Sequence, residues 1–185
     1  TLRSRGLGDV YKRQKLNIEN PDNSAVMNLE CGNVIIELYP KISPKAVERF
    51  KILIEKKMYD GSAFYKVVEN TLVQAGDIQF GNIAYLDYSK IGSGKSGLGL
   101  LKSELSDDFE FTEGSVGFAR SSEFDSEDSE FFITLKDIPI YQGEYTPLGK
   151  VKFGLDILKK IKTGNKAIYA VSYTHLTLPT RCGGG

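Results

Sequence analysis

Histidine and cysteine are almost missing from this sequence, which has one histidine, His175, and two cysteines, Cys31 and Cys182. An ordinary structural zinc site needs four nitrogen or sulfur ligands, and this supply excludes one. Cys182 lies in a terminal segment set aside below, which leaves Cys31 without an intramolecular disulfide partner. Cys31 follows Glu30 in a Gly-Asn turn, has no basic neighbour to activate it, and reads as a turn residue. No apolar run approaches the roughly 20 residues of a membrane-spanning helix, so none is expected and no membrane partner is implied. Basic and acidic residues balance at 24 each, which gives no electrostatic reason to expect nucleic acid. There is no internal repeat and no low-complexity tract. What remains is a chain long enough for one domain with one core.

The two ends read as translated DNA adapter rather than protein. Residues 5–14 (RGLGDVYKRQ) back-translate naturally into a sequencing-library adapter, with GAT GTG TAT AAG AGA CAG for Asp9 to Gln14. The reverse complement, CTG TCT CTT ATA CAC ATC, read from its third base, encodes Val-Ser-Tyr-Thr-His. Those are residues 171–175. The expected organisation is thus an adapter-derived tail at 1–14, a polar leader at 15–24, the domain at 25–169, and a second tail at 170–185. His175 then belongs to a tail, and no acid/base or metal role is built on it. Setting aside Arg3, Arg5, Lys12, Arg13 and Arg181 leaves 19 basic residues. Setting aside Asp9 leaves 23 acidic ones, a net charge near −4.

Within the domain, residues 25–29 and 34–39 are apolar-rich runs joined through Gly32-Asn33, a hairpin pattern. Val34, Ile36 and Leu38 share one face of the second run. Ser43-Pro44 opens a helix: serine as a cap for an orphan amide, proline at the first helical position. Val47, Phe50 and Ile54 continue it at helical spacing toward Met58, and Tyr59-Asp60-Gly61 ends it. Short strands follow at 63–68, 71–74, 116–119, 131–135 and 149–153. A glycine-rich surface loop is expected at 76–99, and Leu155, Leu158 and Ile161 mark a second short helix. Many short strands with two separated helices predict an antiparallel barrel rather than a parallel sheet. Tyr39, Phe50, Tyr59 and Phe64 are expected in the core.

Phe64-Tyr65-Lys66-Val67-Val68, Leu72-Val73-Gln74-Ala75-Gly76-Asp77 and Ser129-Glu130-Phe131-Phe132-Ile133 occur in this order. Residues 36–40 (IELYP), 59–61 (YDG) and 145–151 (YTPLGKV) flank them in sequence. Taken together these motifs resemble the cyclophilins, the peptidyl-prolyl cis/trans isomerases, over about residues 26–162. The form of residues 74–81 (QAGDIQFG) is similar to bacterial members. The resemblance implies a mainly β fold: a closed antiparallel barrel of about eight strands, capped by two α-helices. Its last strand would follow the second helix, where the adapter-like tail begins, so that strand is expected to be missing or poorly imitated. The resemblance also implies rotation of X-Pro bonds in peptides or unfolded chains, with no cofactor and no metal. A monomer is expected, in the bacterial cytoplasm or periplasm.

Position by position, Gln74 and Phe132 match the family's carbonyl-side glutamine and pocket-floor phenylalanine. Ala119 matches a backbone contact residue, and Leu72 replaces a methionine. Ile140 replaces an aromatic, Tyr145 the pocket histidine, Thr71 an aromatic wall, and Tyr65 the histidine before the catalytic arginine. Lys66 replaces that arginine. The implied site is therefore Lys66 and Gln74 as catalytic groups, with Leu72, Ala119, Glu130, Phe132, Ile140 and Tyr145 holding the peptide. Lysine is a point charge without arginine's planar fork, so reduced activity is expected. The alternative is a catalytically silent module that binds proline peptides, or a folding helper, using the same groove. Glu130 stands where a glutamine orients the arginine, which suggests a Lys66–Glu130 ion pair.

Two further patterns carry little. Residues 92–96 (GSGKS) suggest a phosphate loop, but Ser89 stands where such a loop needs glycine. The acidic run Glu123, Asp125, Glu127, Asp128 and Glu130 lacks metal-loop spacing and reads as a solvated loop, or else as a rim selecting basic peptides.

Overall fold

The computed structural model describes residues 18–29 and 32–161, together with the backbone of a strand at Tyr173–Thr177. Cys31 lies outside the described residues, and so does the His175 side chain. The hairpin forms as expected. β1 (Ser24–Leu29) and β2 (Gly32–Leu38) pair antiparallel from Ser24↔Glu37 to Leu29↔Gly32. Ala25, Met27 and Leu29 with Val34, Ile36 and Leu38 enter the core at period two.

Helix α1 (Pro44–Glu55) buries Ala46, Val47, Phe50, Leu53 and Ile54 along one stripe. It ends before Met58 because Lys57 takes a left-handed φ of 55° just past the cap. Its start differs from expectation. The Ser43 hydroxyl donates to the Pro147 carbonyl instead of accepting from the helix. The orphan amides of Lys45 and Ala46 donate to the Glu104 carboxylate, at 3.2 and 2.9 Å. A carboxylate at a helix N-terminus also meets the positive end of the helix dipole.

The remaining elements are β3 (Ser62–Ala63), β4 (Lys66–Val68), β5 (Leu72–Ala75), β6 (Ser115–Phe118), β7 (Phe131–Thr134) and β8 (Pro147–Phe153). A single-turn α2 (Leu155–Leu158) and β9 (Tyr173–Thr177) follow. The sheet runs β3-β9-β1-β2-β8-β6-β7-β5-β4. Its two outer strands, β3 and β4, are halves of one segment separated only by Phe64 and Tyr65, so the sheet curls back on itself as a barrel. β9 pairs with both β1 and β3, at the place where no good final strand was expected. Strand pairing uses main-chain groups that every residue except proline carries, so an open edge accepts any extended segment that reaches it.

Inside the barrel Phe50, Tyr59 and Phe131 meet with ring centroids 5.3–5.5 Å apart. Phe64 is buried with them, whereas Tyr39 is only half-buried, against Phe109. The acidic run is not a solvated loop throughout. Glu127 and Asp128 are buried. Glu127 accepts from the hydroxyls of Ser103 and Thr146 at 2.9 and 3.0 Å. Asp128 pairs with Arg49 at 3.1 Å and accepts from the Ser96 amide at 2.8 Å. Burial of a carboxylate demands such partners.

Candidate active site

Register places one row of residues across four strands. Lys66 of β4 is opposite Gln74 of β5, Gln74 is opposite Phe132 of β7, and Phe132 is opposite Gly117 of β6. Directly opposed residues share a face, so these side chains stand on the outside of the barrel. The neighbouring row, Val67, Val73, Ile133 and Val116, faces the core. Phe64 and Lys66 are two apart yet on opposite sides, Phe64 in the core and Lys66 exposed. The break between β3 and β4 at Phe64–Tyr65 interrupts the alternation and makes this arrangement attainable.

Gly117 is required by close approach. A Cβ there would lie 2.6 Å from Phe132 Cζ and 2.9 Å from Phe111 Cε1. The Phe132 ring lies over that missing side chain as the floor of an aromatic patch. Phe111, Tyr141 and Tyr145 surround it at centroid distances of 5.7, 5.4 and 5.2 Å, the two tyrosines edge-on. Ala119 packs in the same cluster, and its amide donates to the Glu130 carbonyl at 2.8 Å. Leu72, two residues from Gln74 on the same face, is buried. Ile140 is 75% exposed, and the ring packed on Phe132 is that of its neighbour Tyr141.

The polar side of the row is built by Tyr65, Gln74 and Glu130. Tyr65 donates its hydroxyl hydrogen to Glu130 Oε2, and Gln74 Nε2 donates both to that oxygen, at 3.0 Å, and to Tyr65 Oη. Burial pushes the Tyr65 hydroxyl far above the ordinary phenol range, reinforced by the Glu130 charge. It is a phenol donor at any working pH. Burial also raises the Glu130 carboxyl, against the lowering effect of its bonds from Tyr65 and Gln74.

The expected Lys66–Glu130 ion pair is not formed: among the described residues neither makes an ion pair within 4.0 Å. Tyr65 takes the place beside Glu130 that charge alone assigned to lysine. Lys66 is exposed, with its ammonium directed to no protein partner among the described residues. Arg120 completes the rim. Its guanidinium lies between the rings of Phe124 and Tyr145, at 4.2 and 4.9 Å, and donates to the Glu144 carbonyl at 3.0 Å. A cleft of about 100 Å³ opens beside the row, with Gln74, Lys95, Ala119, Arg120 and Glu130 among its walls.

The GSGKS segment forms the far side of this cleft. Its amides at Gly92 and Gly94 donate to the fully buried Asp77 carboxylate, at 2.7 and 3.1 Å, so an internal acid takes the place of a phosphate. Among the described residues no group of three or more histidine, cysteine, aspartate or glutamate side chains is arranged to hold a metal ion. The structure thus brings together Lys66, Gln74, Leu72, Ala119, Glu130, Phe132 and Tyr145, and leaves Ile140 at the edge. Sequence reasoning gave no site role to Phe111, Tyr141 or Arg120 and saw Tyr65 only as a replaced histidine. Tyr141 and Arg120 stand next to chosen positions, and that adjacency was the one signal available.

A curled antiparallel barrel with two helices, and an aromatic and polar row on its outer face, defines a class that comparison with known proteins identifies. Residues 25–174 match the model of the family described as cyclophilin type peptidyl-prolyl cis-trans isomerase/CLD. A probable peptidyl-prolyl cis-trans isomerase of Brucella suis is 38% identical over 155 residues, covering 83% of this chain and 79% of that protein. A peptidyl-prolyl cis-trans isomerase-like protein of Gibberella zeae is 26% identical over 148 residues, covering 76% of this chain and 84% of that one. Among solved structures, the cyclophilin type isomerase of Cryptosporidium parvum, crystallised with the dipeptide Ala-Pro, superposes with a TM-score of 0.73 at 22% identity. That match covers 85% of this chain and 99% of the other. The chain belongs to the cyclophilin-type peptidyl-prolyl cis-trans isomerases, an isomerase enzyme family.

Proposed function

We propose that this chain accelerates rotation of X-Pro bonds in extended peptides or unfolded chains, with Lys66 as the electrophilic group and at a rate lowered by the absence of arginine. The X-Pro barrier is about 18–20 kcal/mol because the C–N bond has partial double-bond character. Rotation makes and breaks no bond, so the site has only to bind the twisted amide better than either planar form. As conjugation is lost, the prolyl nitrogen regains its lone pair and becomes a hydrogen-bond acceptor. A donor aimed at that nitrogen stabilises the twisted state selectively.

The observation that carries this reading is the Lys66–Gln74–Phe132 row, in which an ammonium with no partner among the described residues stands on the same face as an aromatic floor. Phe132 is covered in the ligand-free chain by Tyr141 and Tyr145, so the proline ring packs against it as those two half-buried rings move aside. Ala119, in the strand-like continuation of β6, offers main chain to an extended peptide. Lysine reaches the nitrogen with one compact, strongly hydrated charge, so it holds the peptide less rigidly than a planar guanidinium does. The Cryptosporidium structure was determined in the presence of the dipeptide Ala-Pro, the chemistry this reading assigns to the groove.

A second reading, a binding module for proline peptides without turnover, is favoured by one detail: the Gln74 amide nitrogen is already engaged by Tyr65 and Glu130. Exchange NMR on an Ala-Pro tetrapeptide with catalytic amounts of the full chain separates the two readings. Cis/trans exchange accelerated in proportion to protein supports the isomerase. Saturable binding with unchanged exchange supports the binder and overturns the isomerase reading.

A further inference from the structure

Glutamine is ambiguous in a peptide groove, because one end of its amide donates and the other accepts. Here the surroundings remove the ambiguity. An ionised carboxylate only accepts, so the Gln74 atom 3.0 Å from Glu130 Oε2 must be the nitrogen; the oxygen there would face a negative charge. Tyr65, buried and protonated, spends its hydrogen on the same Glu130 oxygen and can offer Gln74 only a lone pair. Both neighbours therefore demand the NH₂ end. Gln74 Oε1 accepts no hydrogen bond among the described residues, and Gln74 lines the cleft.

We propose that Glu130, held by Tyr65, is a positioning residue that turns the Gln74 amide so that its carbonyl oxygen faces the peptide, making Gln74 the acceptor for a substrate backbone N–H. The polarity of the row is then set: Lys66 donates, Gln74 accepts, and Phe132 holds the ring. Peptides that offer a free N–H next to the proline are preferred over those whose nitrogen there is alkylated. Protonation of Glu130 turns it into a donor and releases the constraint, so the orientation is coupled to pH. The charged and titratable groups that face Glu130 are Tyr65, Asp77 and Lys95, with Tyr59 beneath. Asp77 opposes and Lys95 favours its ionisation.

The inference rests on the isomerase reading for its substrate but not for its geometry, and two measurements on the full chain keep these apart. In the ligand-free protein at neutral pH, NMR is expected to show contacts between the Gln74 side-chain amide protons and the Tyr65 ring, lost in Glu130→Gln. Their absence in the parent overturns the orientation even in a protein with no turnover. With an Ala-Pro tetrapeptide as probe, KM is expected to rise about tenfold as Glu130 is protonated, roughly one hydrogen bond, with kcat moving much less. In Glu130→Gln the KM profile is expected to be flat. A flat profile in the parent, or the same profile in both proteins, overturns the positioning role. Turnover missing from both proteins overturns the isomerase reading and leaves the NMR contact to decide the geometry.

Discussion

Tyr65 donates its hydroxyl to the Glu130 carboxylate at the edge of the site, while Lys66 has no ion-pair partner among the described residues. A charge count alone puts lysine on glutamate. The fold instead brings a phenol up from the strand break at Phe64–Tyr65, within reach of a half-buried acid. A neutral donor satisfies the carboxylate without using up the cation.

The raised Glu130 carboxyl has a consequence for stability. A carboxyl whose folded-state value lies above its unfolded one holds more protons in the folded chain within that window. Folding stability then falls as pH rises from the ordinary carboxylate range toward neutral. Urea midpoints measured between about pH 4 and pH 7 are expected to show this decline in the parent protein, and Glu130→Gln is expected to lose that part of it. Parallel curves for the two proteins contradict the burial assigned to Glu130.

Gly117→Ala places a methyl group 2.6 Å from Phe132 Cζ. Overpacking of this kind costs about 1–3 kcal/mol, and the ring can yield only by leaving the floor of the patch. Thermal unfolding and peptide affinity are both expected to fall. An unchanged affinity would show that Phe132 does not support the ligand.

Much of this site was legible from short motifs. The order and spacing of residues 64–68, 72–77 and 129–133 identified the family, and pairing then aligned Lys66, Gln74 and Phe132 in one row. What stayed hidden depends on partners distant in sequence. Nothing near Ser43 shows that Glu104 caps the helix, and nothing near Asp128 points to Arg49 or Ser96. A run of acids looks solvated until the hydroxyls of Ser103 and Thr146 turn out to be folded against Glu127. Propensity and periodicity report on neighbours within a helical turn or a strand pair, and these contacts span far more. Tyr141 was missed for a finer reason: Pro139–Tyr141 forms a 3₁₀ turn that directs the ring after Ile140 onto Phe132.

Asp77 holds the loop behind the cleft. It is fully buried and accepts from the amides of Gln79, Phe80, Gly92 and Gly94 at 2.7–3.1 Å. Asp77→Ala leaves four donors with no acceptor, an expected loss of about 3–5 kcal/mol. Chemical denaturation reads the loss, and limited proteolysis is expected to show new cleavage between Gln79 and Lys95. Stability within about 0.5 kcal/mol of the parent would refute this anchoring role.

Rotation of the X-Pro bond is expected to depend on the exposed Lys66 ammonium as its donor. The most direct measurement is kcat/KM for an Ala-Pro tetrapeptide with the parent chain, Lys66→Ala and Lys66→Arg. Alanine is expected to lose about tenfold or more, one charge-assisted hydrogen bond in the twisted state. Arginine is expected to gain over the parent, because its fork restores the planar donor pair. Equal values for the parent and Lys66→Ala would contradict a catalytic role for Lys66.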